Sequence, residues 1–319
     1  MTAQLGYELR AADAGSLDEC DLAHVRELIA QYGWVRFKGF NASPSEFETF
    51  SDSLGACDPI GAIENKPGGM TLEYHAEDAY TPYRPDVLWL LCVNPGEVGG
   101  GAATIVTDAV KTFADMSDEW QQFCRDHRLR FGRLWSSAAW EGPLGSDARA
   151  QLEATLEAIP DLTFEFLPDG ALYVTYEVPI VTRTLSGEES FANSALHAAN
   201  FPKWYGMSLA DGSPVPDALL SHVREIVVRH EVAIDWDAGD FLVVENFRTM
   251  HRRPDYHGRG RLLLRRNCRD FFGTPQPDTT SPTGAWLKGL LNQELGGDPV
   301  YFPLSSGPLD TSLREGVAG

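Results

Sequence analysis

The sequence is short of basic residues. Its 26 Lys and Arg face 46 Asp and Glu, for a formal net charge of −20. Such a surface repels nucleic acid and anionic membranes at long range, so neither is an expected partner. Cysteine is also scarce: Cys20, Cys57, Cys92, Cys124 and Cys268 are scattered, odd in number and form no CxxC pair. That pattern speaks against a disulfide framework and fits reduced thiols in a cytoplasmic protein. No apolar run nears the roughly 20 residues of a membrane helix. The N-terminus lacks a basic segment followed by an apolar stretch, so no secretory signal is expected. There is no internal repeat, no GxGxxG and no Walker lysine. The glycines of "GEVGGGA" (residues 96–102) read as a flexible hairpin turn between strands.

What is present is an ordinary globular chain of 319 residues with 43% apolar side chains, enough for one sizeable core. "DLAHVRELIAQYG" reads as a helix that Asp21 caps and Gly33 closes. "SPSEFETFSDSLG" reads as a second, with Ser43 and Glu46 as a capping box. Between them "WVRFKGF" alternates like a strand. From Leu72 onward the texture is β. Strands are expected at Asp86–Val93, Ala103–Val110 and Arg261–Phe272, a hairpin over Leu162–Val178, and two strands joined by a turn over Val232–Asn246. Helices are expected at Ser117–His127, Ser146–Ile159 and "PDALLSHVREIVVRHE". "WSSAAWEGPLG" (Trp135–Gly145) reads as a lid-type loop or a packed surface loop. Many short strands without a βαβ rhythm predict a mostly β fold with flanking helices, an antiparallel barrel or jelly roll. A single domain is expected: N-terminal helices over 21–55, a core over about 72–272, and a Pro-, Gly- and Ser-rich tail over 273–319 with one amphipathic piece, "AWLKGLLNQEL".

Candidate chemistry starts at "LEYHAEDAYTPYRPD". His75 and Glu77 are two apart, and on a strand positions i and i+2 share a face. They could converge on a metal, or they could be polar decoration of a solvent face. Two histidines and a carboxylate make the facial triad of non-haem iron, with His251 as the histidine best placed to come from another strand. His24, His127, His222 and His230 lie in or beside charged helices, and His197 falls in a loop that could border a pocket. "GRGRLLLRR" puts Arg261 and Arg265 four apart in an apolar run. Inward arginines are costly unless they meet an anion, and a guanidinium grips carboxylates with two parallel bonds. They could equally face solvent and pair with surface acids.

These pieces, in this order, resemble the Fe(II)/2-oxoglutarate-dependent dioxygenases of the taurine dioxygenase superfamily. The closest likeness is to its clavaminate synthase-like branch, which includes arginine and asparagine β-hydroxylases. "LEYHAEDAYTPYRPDVLWLLCV" matches that branch's HxE segment, "AGDFLVVENFRTMHRR" the segment delivering the second histidine, and "RLLLR" the arginine strand. The likeness covers about Ala23 to Phe272. It implies a double-stranded β-helix (jelly-roll, cupin-like) core. It implies that His75, Glu77 and His251 ligate Fe(II), and that Arg261, with Thr104, binds the co-substrate 2-oxoglutarate, O2 being the oxidant. It also implies that Arg265 meets a substrate carboxylate. Glu177 lies where the family places substrate-reading acids, though a surface strand glutamate is an equal reading. Glu245 and Arg252 depart from the family's Asp and Gly, and the link from His251 to Arg261 is short.

The implied activity is hydroxylation of a small carboxylate-bearing molecule, a free L-amino acid or derivative in specialised metabolism. Because Glu77 retains the carboxylate, chloride has no site, and a halogenase is not expected. Desaturation or cyclisation, a non-redox ligand-binding jelly roll and a zinc hydrolase are the alternatives. The sequence leaves room for a homo-oligomer.

Overall fold

A computed structural model describes residues 5–64, 71–97, 100, 103–145, 149–273 and 276–292. Strand β1 (Tyr7–Arg10) is followed by helix α1 (Leu22–Tyr32), β2 (Trp34–Lys38) and helix α2 (Pro44–Leu54). The caps are as expected. Asp21 accepts from the Ala23 and His24 N–H groups, Gly33 takes a left-handed φ of 75°, and Ser43 and Glu46 form a reciprocal capping box. Then come β3 (Ala56–Cys57), β4 (Gly61–Glu64), β5 (Leu72–His75), β6 (Val87–Asn94) and β7 (Thr104–Asp108). Helices α3 (Ala109–Ala114) and α4 (Asp118–Asp126) lead to β8 (Arg128–Trp135). Next are α5 (Ser137–Leu144), α6 (Arg149–Glu157) and the hairpin β9 (Leu162–Phe166)–β10 (Leu172–Pro179). Beyond it lie α7 (Ala195–Asn200), β11 (Ser208–Leu209), α8 (Asp217–Val227), β12 (Glu231–Ile234), β13 (Phe241–Glu245), β14 (Thr249–Arg253), β15 (Leu262–Arg269) and α9 (Pro282–Leu291).

Among the described residues the strands form two principal sheets. One runs β1-β2-β13-β6-β15-β3, with β4 also on β15. The other runs β12-β7-β14-β5. A dry cluster including Leu88, Leu90, Val106, Ile234, Leu242, Val244 and Leu263 draws on both sheets and packs them face to face. On the outer face of the larger sheet, α1 and α2 bury Val25, Ile29, Phe47 and Phe50 against Phe37, Trp89 and Phe241, with Phe37 and Phe241 stacked at 4.2 Å. A third sheet, β11-β8-β10-β9, carries the predicted hairpin.

Three expectations are corrected. "GEVGGGA" does not close a hairpin: β6 lies in the larger sheet and β7 in the smaller, so the segment crosses between sheets, with residues 98–99 and 101–102 outside the description. The two strands expected over Val232–Asn246 and the turn between them are present, and that turn too crosses from β12 in one sheet to β13 in the other. "WSSAAWEGPLG" is not a loop. It is the end of β8 and helix α5, whose Trp140 is 2% exposed and donates its indole N–H to Gly170 O at 3.0 Å. Cys57 and Cys268 face each other across β3 and β15 and form a disulfide, a tertiary meeting that their separation of 211 residues hides. Cys20, Cys92 and Cys124 are free. Of the tail, only the start is described, including residues 285–291 of the amphipathic piece in α9; residues 293–319 lie outside the described residues.

Glu245, at the end of β13, is wholly buried. Burial pushes its carboxyl up from 4.5 to about 8, with Glu188 adding to the rise, while the Leu185 N–H bond and Arg248 pull the other way. The folded protein therefore holds a proton that the unfolded chain has released, so stability falls as pH rises from 4.5 to about 8. Glu245→Gln removes this component. Melting temperature followed across that window should decline less steeply in the variant; an unchanged slope would contradict a protonated Glu245.

Candidate active site

The site is built from the smaller sheet and from β15 of the larger one. His251 on β14 is the cross-strand partner of His75 at the end of β5, and the register shifts just beyond it, where Arg253 faces Leu72. The two imidazole rings lie 4.3 Å apart at 51°. Glu77 Oε2 is 3.8 Å from His75 Nε2 and 3.5 Å from His251 Nε2. One donor atom from each residue lies within 4.8 Å of the others. Donors held about 2.1 Å from one ion at angles of about 90–130° are about 3–4 Å apart, so this set fits a single metal and leaves one side open. The Nδ1 atom of His75 contacts Glu73 O at 2.7 Å, which fixes the ring with Nε2 toward the centre.

Glu77 is 7% exposed. Burial opposes its charge, but Arg265, which reaches Oε1 at 2.5 Å, and the two histidines outweigh it and hold the carboxyl well below its usual range. Oε1 is thus engaged by Arg265 while Oε2 faces the histidines. His251 is pushed down by burial and by His75, against the pull of Glu77, which favours the neutral imidazole that ligates metals.

Beside the triad, Thr104 Oγ1 accepts from Arg261 Nη2 and from Trp236 Nε1, both at 3.0 Å. A hydroxyl whose two acceptor positions are used has its own O–H left to donate. Arg261 is 3% exposed, its Nε has no partner among the described residues, and burial with Arg253 nearby pushes it down to about 10. A buried cation in this condition, next to a hydroxyl donor, fits a carboxylate. Gly96, at φ 85°, lets the chain pass behind it: a Cβ there would meet Tyr256 Oη at 2.3 Å and Arg261 Cβ at 3.0 Å. Arg252 has its own partner, Glu231 at 2.7 Å.

His197 is brought closer than sequence reasoning placed it. It sits on helix α7 rather than in a loop, 7% exposed, its ring 5.0 Å from His75 and within 5.4 Å of Phe201 and Tyr205. Burial, together with His75, pushes it down to about 3, and its Nδ1 has no partner among the described residues. Glu177 keeps different company. Its carboxylate pairs at 2.9 Å with Arg130, its cross-strand neighbour on β8, in the sheet that bears none of the triad.

The model of the taurine catabolism dioxygenase TauD, TfdA family matches residues 2–267. The chain belongs to this family. The dioxygenase is 22% identical to the dapdiamide synthesis protein DdaC of Enterobacter agglomerans, over 76% of this chain and 84% of that one. It is also 22% identical to a clavaminate synthase-like protein of Arabidopsis thaliana, over 75% and 83%. In fold it is similar to PvcB of Pseudomonas aeruginosa, with a TM-score of 0.56 at 15% identity over 84% of this chain and 86% of that one. Another structure of PvcB is described as that of an Fe, alpha-ketoglutarate-dependent oxygenase from an isonitrile synthetic pathway. The dioxygenase is accordingly an Fe(II)- and 2-oxoglutarate-dependent enzyme that uses O2. Membership sets aside the zinc hydrolase and the non-redox binder.

If Arg261 holds the co-substrate, Arg261→Ala should raise the KM for 2-oxoglutarate about 10–100-fold, the loss of one or two charge-assisted hydrogen bonds. Mn(II) affinity should stay within about threefold. Succinate formation against 2-oxoglutarate concentration reads the first; an unchanged KM would contradict the assignment.

Proposed function

We propose that the dioxygenase, on a jelly-roll core, hydroxylates an unactivated C–H bond of a small carboxylate-bearing substrate. A free L-amino acid or derivative in specialised metabolism fits best, and a cytoplasmic setting is part of this reading. In it His75, Glu77 and His251 hold Fe(II), while Arg261 and Thr104 hold the distal carboxylate of 2-oxoglutarate. When bound, iron with 2-oxoglutarate and O2 supplies an oxidant strong enough to take hydrogen from carbon, with succinate and CO2 as by-products.

The observation that carries the substrate class is Arg265. Its side chain is 31% exposed, yet it reaches the 10% exposed Glu77 carboxylate. In this reading the guanidinium, in contact with a metal ligand, is the group that meets the substrate carboxylate beside the metal. The substrate is thereby oriented, and its C–H bond is positioned rather than activated by the protein. His197 supports the same picture, as a buried imidazole beside His75 able to hydrogen-bond a polar group of the substrate. Glu177 has no part in this reading, because its carboxylate is already paired with Arg130. Hydroxylation is the expected outcome because Glu77 keeps the third ligand position filled.

A screen of succinate release over free L-amino acids and their derivatives tests the proposal, with mass spectrometry of the products. A gain of one oxygen atom, dependent on Fe(II) and 2-oxoglutarate and abolished in His75→Ala, is the expected result. Loss of two hydrogens would show desaturation or cyclisation instead, and turnover retained in His75→Ala would overturn the ligand set.

A further inference from the structure

Strand alternation does not account for where Glu77 lies. β5 ends at His75, so Glu77 is already outside the strand, and the next residue, Asp78, takes a left-handed φ of 51°. The side chain of Asp78 is 5% exposed and accepts from Asn267 at 3.1 Å and Asn292 at 2.8 Å. An irregular backbone carrying a metal ligand needs another means of being held.

Asn246 provides it. The Glu77 N–H donates to Asn246 Oδ1 at 2.8 Å, and Asn246 Nδ2 donates to Glu77 O at 2.8 Å and to Pro85 O at 2.9 Å. A single side chain, 1% exposed, thus occupies both main-chain groups of Glu77, as a neighbouring strand would. Asn246 also belongs to the turn between β13 and β14, the turn that delivers His251. The residue before Glu77 is held from the other side: the Ala76 N–H donates to Asn193 O at 3.0 Å and Ser194 Oγ donates to Ala76 O at 2.8 Å. Arg84 closes the circuit. Its Nη2 donates to Ala192 O at 2.9 Å and to Asn246 O, and its guanidinium lies 4.1 Å from the centre of the Phe247 ring.

We propose that Asn246 is the positioning residue of the metal site, fixing Glu77 relative to His251 through the main chain, with Arg84 as the anchor of that clamp. The proposal rests on the triad being the metal site but on no substrate. Asn246 touches neither metal nor substrate; it sets where the carboxylate ligand stands.

The test is binding of Mn(II) and Co(II) to the purified full chain without turnover. Asn246→Ala should bind Mn(II) about 10–100-fold more weakly, the usual cost of removing a group that orients a ligand. Its Co(II) absorption spectrum should change as Glu77 loosens. Thr175→Val is the control: it breaks the half-buried Thr163–Thr175 hydroxyl contact of 2.6 Å on the sheet that bears none of the triad, and should leave Mn(II) affinity unchanged. Arg84→Lys, which leaves the Asn246 side chain in place, should weaken Mn(II) binding in the same direction by a smaller factor. Asn246→Ala binding within about twofold of the parent, with the same Co(II) spectrum, overturns the proposal. If Asn246→Ala does not fold, parent-like affinity in a folded Arg84→Lys overturns it. A parent chain that binds no Mn(II) at all would overturn the triad itself.

Discussion

A carboxylate buried among protein atoms must be stabilised as an anion and held in place, and the site depends on both being done at Glu77. Its charge is compensated by Arg265 and by the two histidines, and its main chain is held by Asn246. Remove the charge compensation and burial would favour the protonated acid, a poor ligand. Remove the main-chain clamp and an anion beyond the end of its strand would have no fixed position relative to His251. The two supports come from different sheets' worth of structure: Arg265 from the long strand β15, Asn246 from the turn into β14.

The same two segments organise the neighbouring subsite. β15 follows directly on Arg261, and β7, on which β14 pairs, begins at Thr104. The smaller sheet thus brings His251 and Thr104, and the larger sheet's β15 brings Arg265 and, just before it, Arg261. Arg265 stabilises the ligand anion at Glu77.

Much of this was legible in the chain because it depends on local rules. Helix caps at Asp21, Ser43 and Gly33 obey side-chain chemistry within a few residues, and the hairpin of β9 and β10 announces itself in Pro168, Asp169 and Gly170. The HxE pair, His251, Arg261 and Thr104 were legible through the order of motifs, and the structure brings them together. What was not legible depends on distant partners. Alternation gave the right neighbour for His75 by an incomplete argument, because β5 stops two residues before Glu77. The partner that replaces the strand, Asn246, is 169 residues away. Cys57 and Cys268 meet only because β3 and β15 pair. His197 was visible as a pocket neighbour, but its burial beside His75 requires α7 to dock on β5. Glu177 could not be assigned from its strand, since its carboxylate is held by an arginine on the next one.

The central claim is that His75, Glu77 and His251 form one iron site beside a carboxylate subsite at Arg261. Anaerobic addition of Fe(II) and then 2-oxoglutarate, followed by visible absorption, tests it most directly. The account predicts a weak charge-transfer band that saturates at one iron and one 2-oxoglutarate per chain and is lost in Glu77→Ala. A folded protein that gives no band, or a Glu77→Ala variant that keeps it unchanged, would contradict the account.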